Sequence, residues 1–118
     1  MCFKVVIAGG REFNDYNLLS TKVSHLIQNK MPDVAIISGV ARGADSLGAK
    51  WARDNGITVI EKPANWDKLG RAAGYRRNEE MLQIADAVIA FWDGKSKGTK
   101  HMIDISKQAG IPVRVINY

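Results

Sequence analysis

The chain has 118 residues, 46% of them hydrophobic and 25% charged, with one cysteine and a net charge of +5. A chain of this size can bury roughly two-thirds of its unfolded surface, enough for a core without disulfide or metal staples, and the composition excludes disorder and low complexity. Cys2 alone excludes a disulfide scaffold, no apolar run approaches the length of a membrane helix, about 18 residues, and the modest basic excess forms no block that would mark a nucleic-acid tail.

Five short apolar runs alternate with four stretches of helical periodicity. The runs are Phe3–Ala8, Val34–Ser38, Ile57–Glu61, Ala87–Trp92 and Pro112–Asn117, dominated by Val and Ile as strands require. The first, which has no basic region ahead of it, reads as a strand rather than a secretory leader, and a cytoplasmic location is expected. Between the first two runs, Leu18, Leu19, Val23, Leu26 and Ile27 repeat near a helical period, with Asn14 or Asp15 as N-cap and Pro32 closing the segment. Further helices are expected over about Ala44–Asn55, Ala72–Ala85 and Thr99–Ala109, with Gly56 and Gly110 as terminators. This alternation predicts one α/β domain over residues 1–118, a Rossmann-like doubly wound parallel sheet with helices on both faces.

The first, second and fourth runs are continuously apolar, as expected of strands covered on both sides, whereas the third and fifth mix in polar residues. Placing those two at the edges predicts the strand order 3-2-1-4-5. Ligands of open parallel sheets bind beyond the carboxyl ends of the strands where the order reverses, here between strands one and four. Three glycine-rich segments follow strands one, two and four, and all three fall at that end.

After strand one, Gly9 and Gly10 allow close backbone approach and Arg11 offers a planar fork for phosphate or carboxylate. A tight turn with a solvated arginine would need the same glycines. After strand two, Ser38, Gly39, Arg42, Gly43 and Asp45 precede or open a helix whose small residues Gly48, Ala49 and Ala52 let it lie close to the sheet. Its N-terminus would present free N–H groups and partial positive charge to an anion, and Asp45 is either a site residue or a helix-start acid. After strand four, Asp93, Ser96, Gly98 and Thr99, with Lys95 and Lys97 between, resemble a phosphate cradle but lack Walker spacing. A flexible basic loop would look similar.

The long connection from Pro63 to Asn78 carries Trp66, which could stack on a base or plug the core, and three arginines. Arg77 and Asn78 cannot share a helix face with Arg76. His25 and His101 read as surface or capping residues, nothing has metal-ligand spacing, and Trp51 and Phe91 read as core.

Four segments, Gly9-Gly10-Arg11-Glu12-Phe13, Ser38–Asp45, Ala73–Asn78 with Met81, and Phe91–Thr99, occur in an order that resembles the SLOG superfamily of Rossmann-like nucleotide-binding domains, and within it the small YspA-like, cpYpsA-related members. The resemblance implies a domain for nucleotides or nucleotide-derived ligands and supplies no defined reaction. More distant similarity reaches two other groups. LOG-type phosphoribohydrolases carry a Pro-Gly-Gly-x-Gly-Thr-x-x-Glu motif with a catalytic glutamate; aligning Gly98-Thr99 puts Met102 there, and a thioether cannot replace it. DNA-processing protein DprA has a similar Ser-Gly-x-Ala-x-Gly-x-Asp stretch and binds single-stranded DNA, but no aromatic-interleaved basic stripe is present here.

The expected function is therefore binding or sensing of a phosphorylated nucleotide, without metal or membrane. Phosphate would sit on N–H groups near Gly10, Gly39, Arg42–Gly43 and Gly98–Thr99, with charge from Arg11, Arg42 and Arg77. Asp93 would meet a ribose hydroxyl and Trp66 would cover the base. The alternatives are a hydrolase acting on the nucleotide's glycosidic or phosphate bond through Asp45 or Asp93, and single-stranded DNA binding. A homo-oligomer is compatible with any of them.

Overall fold

The structure, a computed structural model, describes residues 2–118, without the side chains of Trp66, Asp67 and Arg71. Five parallel strands, β1 (Phe3–Gly9), β2 (Val34–Ser38), β3 (Thr58–Glu61), β4 (Ala87–Trp92) and β5 (Val113–Asn117), form one sheet in the order β3-β2-β1-β4-β5. The order follows from burial, as the sequence predicts. Every residue of β2 is buried, whereas β3 and β5 have no fully buried residue and stand at the edges.

Alternation along β1 divides the core. Val5 and Ile7 face one side, where they join Leu19, Val23 and Ile27 of α1 (Tyr16–Ile27) and Trp51 and Ala52 of α2 (Ala44–Asp54). Val6 and Ala8 face the other, against Met81 of α4 (Ala73–Ile84) and Met102 of α5 (Lys97–Gln108). Trp51 and Phe91 are core, as expected. Gly48 brings α2 onto the sheet: a β-carbon there would stand 2.7 Å from Ile7 Cγ2.

Local chemistry explains the helix ends. The Leu18 N–H donates to Asp15 Oδ1 at 3.0 Å, so Asp15 is the cap of α1, a contribution of about 1 kcal/mol. A 3-10 turn over Gln28–Lys30 then leads to Pro32. Two boundaries differ from expectation. The helix after β4 starts at Lys97 rather than Thr99, because the Ser96 hydroxyl caps it. The connection after β3 contains a short helix, α3 (Trp66–Leu69), and a 3-10 turn over Gly70–Ala72. Asn65 starts α3 by accepting the Lys68 N–H on its side chain, and Gly70, at φ 57°, ends it.

Candidate functional site

Beyond the carboxyl ends of β1 and β4, where the strand order reverses, lies a cavity of about 640 Å³. Ala8, Gly9, Thr99 and Met102 lie along its base, and the loops 9–12 and 93–98 line its sides. The Phe13 ring, packed between Phe91 and Tyr118 at centroid distances of 4.8 and 4.7 Å, anchors the first loop. Tyr118 sets its hydroxyl against Gly10, where a side chain would collide with it.

A buried polar assembly crosses the cavity from β2 to α5. Asp45, in the first turn of α2, is 4% exposed, and its Oδ2 accepts the Ala41 N–H at 3.4 Å. The Arg77 guanidinium, projecting from α4, stands 3.7 Å from the same oxygen and donates to the Gly39 carbonyl at 2.7 Å. Arg77 Nε donates to Asn78 Oδ1, and Asn78 Nδ2 in turn reaches the Gly98 carbonyl at 3.1 Å and His101 Nδ1 at 3.2 Å. Burial pushes the Asp45 carboxyl up from 3.8 to about 6, against the opposing pull of Arg77, the Ala41 N–H, Arg11 and the Gly9 N–H. A carboxyl with such a value exchanges its proton near neutral pH and can donate or accept toward the cavity.

The loop after β4 is held by Asp93, whose Oδ1 accepts the N–H groups of Lys95 and Ser96, both at 2.8 Å. Those two donors hold its carboxyl below the usual carboxylate range. Ser96 caps α5 through the Thr99 N–H, which leaves the N–H groups of Lys97 and Gly98 without intrahelical partners at the cavity wall. This end of α5 is the anion-favouring feature of the crevice.

Among the residues expected from sequence, Gly9, Gly10, Arg11, Asp45, Arg77, Asn78, Asp93, Ser96, Gly98 and Thr99 all line this cavity. Others stand elsewhere. Ser38 is fully buried and structural, its hydroxyl donating to the Asp45 carbonyl and accepting the Val40 N–H, both at 3.1 Å. Arg42 turns outward to an exposed ion pair with Glu12 at 2.6 Å, and Gly39 and Arg42 line a second, adjacent cavity. The Trp66 side chain lies outside the described residues.

The expected donors change as well. The Gly10 N–H is taken by the Phe91 carbonyl, continuing the β1–β4 pairing, and the Ala44 N–H at the start of α2 is taken by the Gly10 carbonyl, both at 3.2 Å. Gly43, which enters α2 at φ 87°, makes that contact by passing directly over Gly10, where a β-carbon would collide. The α2 N-terminus is thus partly consumed by the fold, and α5 supplies the free donors.

Tyr75 and Met102 are not among the ligand contacts expected from sequence, and Lys97 enters there only as part of the basic loop after strand four, yet all three line the cavity. Tyr75 is 43% exposed and meets His101 edge-on at 4.5 Å, so it offers an aromatic wall. His101 is half-buried in this cluster rather than a plain surface residue. The available signal is the Gly74-Tyr75 pair at the head of α4, directly before Arg76-Arg77.

The pattern that defines the YspA, cpYpsA-related SLOG family matches residues 3–69. The chain belongs to this family. A relative in sequence is the gene 61 protein of Mycobacterium phage D29, 34% identical over 116 residues and covering 93% of each chain. Two solved structures share the fold. DprA from Streptococcus pneumoniae superposes with a TM-score of 0.77 at 18% identity, over 100% of this SLOG chain and 51% of the other. DprA from Helicobacter pylori, solved to describe its single-stranded DNA binding mode, gives 0.67 at 16% identity over 98% and 66%. The SLOG chain thus spans about half to two-thirds of the length of these neighbours. Among the described residues no helix is long and apolar enough to cross a membrane.

Proposed function

We propose that this SLOG chain binds a phosphorylated nucleotide or nucleotide-derived ligand in the crevice between β1 and β4. The observation that carries the reading is the composition of one cavity of about 640 Å³, within the size range of small-molecule sites. It combines the free N–H groups of α5 and the cations Arg11, Arg77 and Lys97 with hydrogen-bonding carboxyls and the Tyr75 ring. Phosphate suits the former, and ribose hydroxyls and a base suit the latter. With the Trp66 side chain outside the described residues, Tyr75 is the aromatic group that supports base stacking. A cytoplasmic setting, where nucleotides are abundant, fits this ligand.

The test is a thermal-shift panel of mono-, di- and cyclic nucleotides and NAD, because a ligand that binds only the folded state raises the melting temperature. At least one should do so, and Arg77→Ala should abolish the shift. No stabilisation by any nucleotide overturns the reading. The fold shared with the H. pylori protein supports a second reading, a single strand in the same crevice, which oligonucleotide binding with a steep salt dependence would establish. Release of free base or phosphate at turnover rates would move the answer to a hydrolase acting through Asp45 or Asp93.

A further inference from the structure

The crevice has a neighbour. A second cavity, of about 560 Å³, lies beside the first, and the two share Arg11, Ala41 and Arg77 as a common ridge. Their charges differ. The first combines Arg11, Arg77 and Lys97 with the carboxyls of Glu12, Asp45 and Asp93. The second is lined by three guanidiniums, those of Arg11, Arg42 and Arg77, and none of the described residues lining it is acidic. Pro63 and Ala64, from the connection after β3, close its far side.

We infer that the second cavity is a phosphoryl-binding subsite, and that the ligand is a nucleoside unit carrying a phosphoryl group at each end, lying across the Arg11–Arg77 ridge. The inference rests on the nucleotide reading of the first cavity and extends it. One phosphoryl group meets the α5 N-terminus and Lys97; the other meets the guanidiniums. Arg77 is fixed in advance: its side chain is 12% exposed and two of its donors are held by Gly39 O and Asn78 Oδ1. A guanidinium has five N–H donors in a rigid fork, so donors remain for a bidentate phosphoryl contact. Arg42 is committed only to an ion pair whose members are 72% and 86% exposed, and such pairs hold their partners weakly, so a doubly charged phosphoryl oxygen cluster can displace Glu12.

The wall itself is strained in a way that supports a ligand role. Val40, which lines the second cavity, has φ 62°, a left-handed conformation that a β-branched residue adopts only under constraint. Ser38 Oγ holds it there by accepting its N–H. Such strain collects at ligand-binding walls.

The shared chemistry, phosphoryl–nucleoside–phosphoryl, occurs in a free nucleoside 3′,5′-bisphosphate and in the interior of a single strand. The experiment measures dissociation constants of the full chain for the 5′-monophosphate, 3′-monophosphate and 3′,5′-bisphosphate of each common nucleoside, and for the matching tetranucleotides. Two variants act on the second cavity alone: Ala64→Glu adds a carboxylate to it, and Arg42→Ala removes a guanidinium that does not line the first. Wild type should bind a bisphosphate about tenfold or more tighter than either monophosphate, the scale of a charge-assisted contact. Both variants should erase that advantage while retaining monophosphate binding. A wild type with no such advantage, or variants that both preserve it, overturns the subsite and leaves the nucleotide reading standing. Failure of wild type to bind any probe overturns both. With the subsite established, tighter tetranucleotide binding assigns the nucleoside unit to a strand, and equal or weaker binding assigns it to a free nucleotide.

Discussion

Gly39 and Arg77 are matched as space and occupant: a β-carbon built on Gly39 would overlap Arg77 Nη1 and come within 2.6 Å of Asp45 Oδ2. The missing side chain is what lets the guanidinium reach the Gly39 carbonyl and stand beside the buried carboxyl. One glycine on the loop after β2 therefore sets the position of a charge delivered from α4.

Gly39→Ala should expel that guanidinium. The expected cost is about 1–3 kcal/mol of stability, typical of overpacking, together with a weakening of nucleotide binding out of proportion to the loss of fold. Chemical denaturation gives the first quantity and calorimetric titration the second. Unchanged affinity would remove Arg77 from the binding site.

Asp45 gives the stability a pH dependence of definite sign. Its carboxyl holds a proton to about pH 6 in the folded chain, against 3.8 when exposed. The stabilisation is fully present below the unfolded value and is lost as the pH rises through about 6, a change of about 3 kcal/mol at most. Asp54 and Asp93, both held below the usual range by hydrogen bonds, act in the opposite direction and at more acid pH. Urea unfolding between pH 5 and 8 should show wild type losing stability with rising pH and Asp45→Asn losing much less. Parallel slopes would place the titration on another group.

Val40→Asn should stabilise the chain by about 1 kcal/mol. Asparagine tolerates the left-handed region far better than a β-branched residue, and the position is 46% exposed, so little packing is lost. A rise in melting temperature checks it.

Gly43→Ala should do the reverse. At φ 87° and ψ −130°, with the Gly10 carbonyl where its β-carbon would stand, the residue has neither the dihedrals nor the room for a side chain. A loss of about 3 kcal/mol is expected, with weaker ligand binding because β1 and α2 lose their register. Wild-type stability of this variant would contradict the close passage of the two segments.

The strand order was readable because burial is written into composition: β2 is apolar throughout, while Thr58, Glu61, Arg114 and Asn117 mark β3 and β5 as edges. The convergence of the glycine-rich loops followed from that order alone. The direction of single side chains did not follow. Arg42 turns outward to Glu12, a partner 30 residues away along the chain, and Asp45 is buried where Gly39 leaves room for its carboxylate and the Ala41 N–H meets it. Likewise the Gly10 N–H looked available for a phosphate, but the Phe91 carbonyl claims it through strand pairing. Local patterns encode which segments meet; long-range pairing decides which atoms are left over.

The pairing of β1 with β4, in which Ile7 stands opposite Ile89, joins segments 82 positions apart along the chain. Closing a loop of that length costs entropy before the pairing repays it, which slows folding. A nascent chain still emerging from the ribosome, with its amino-terminal half complete, already displays the loop after β1 and the start of α2 but has no opposing bank. The cavity thus takes shape only once β4 and the start of α5 stand opposite those segments.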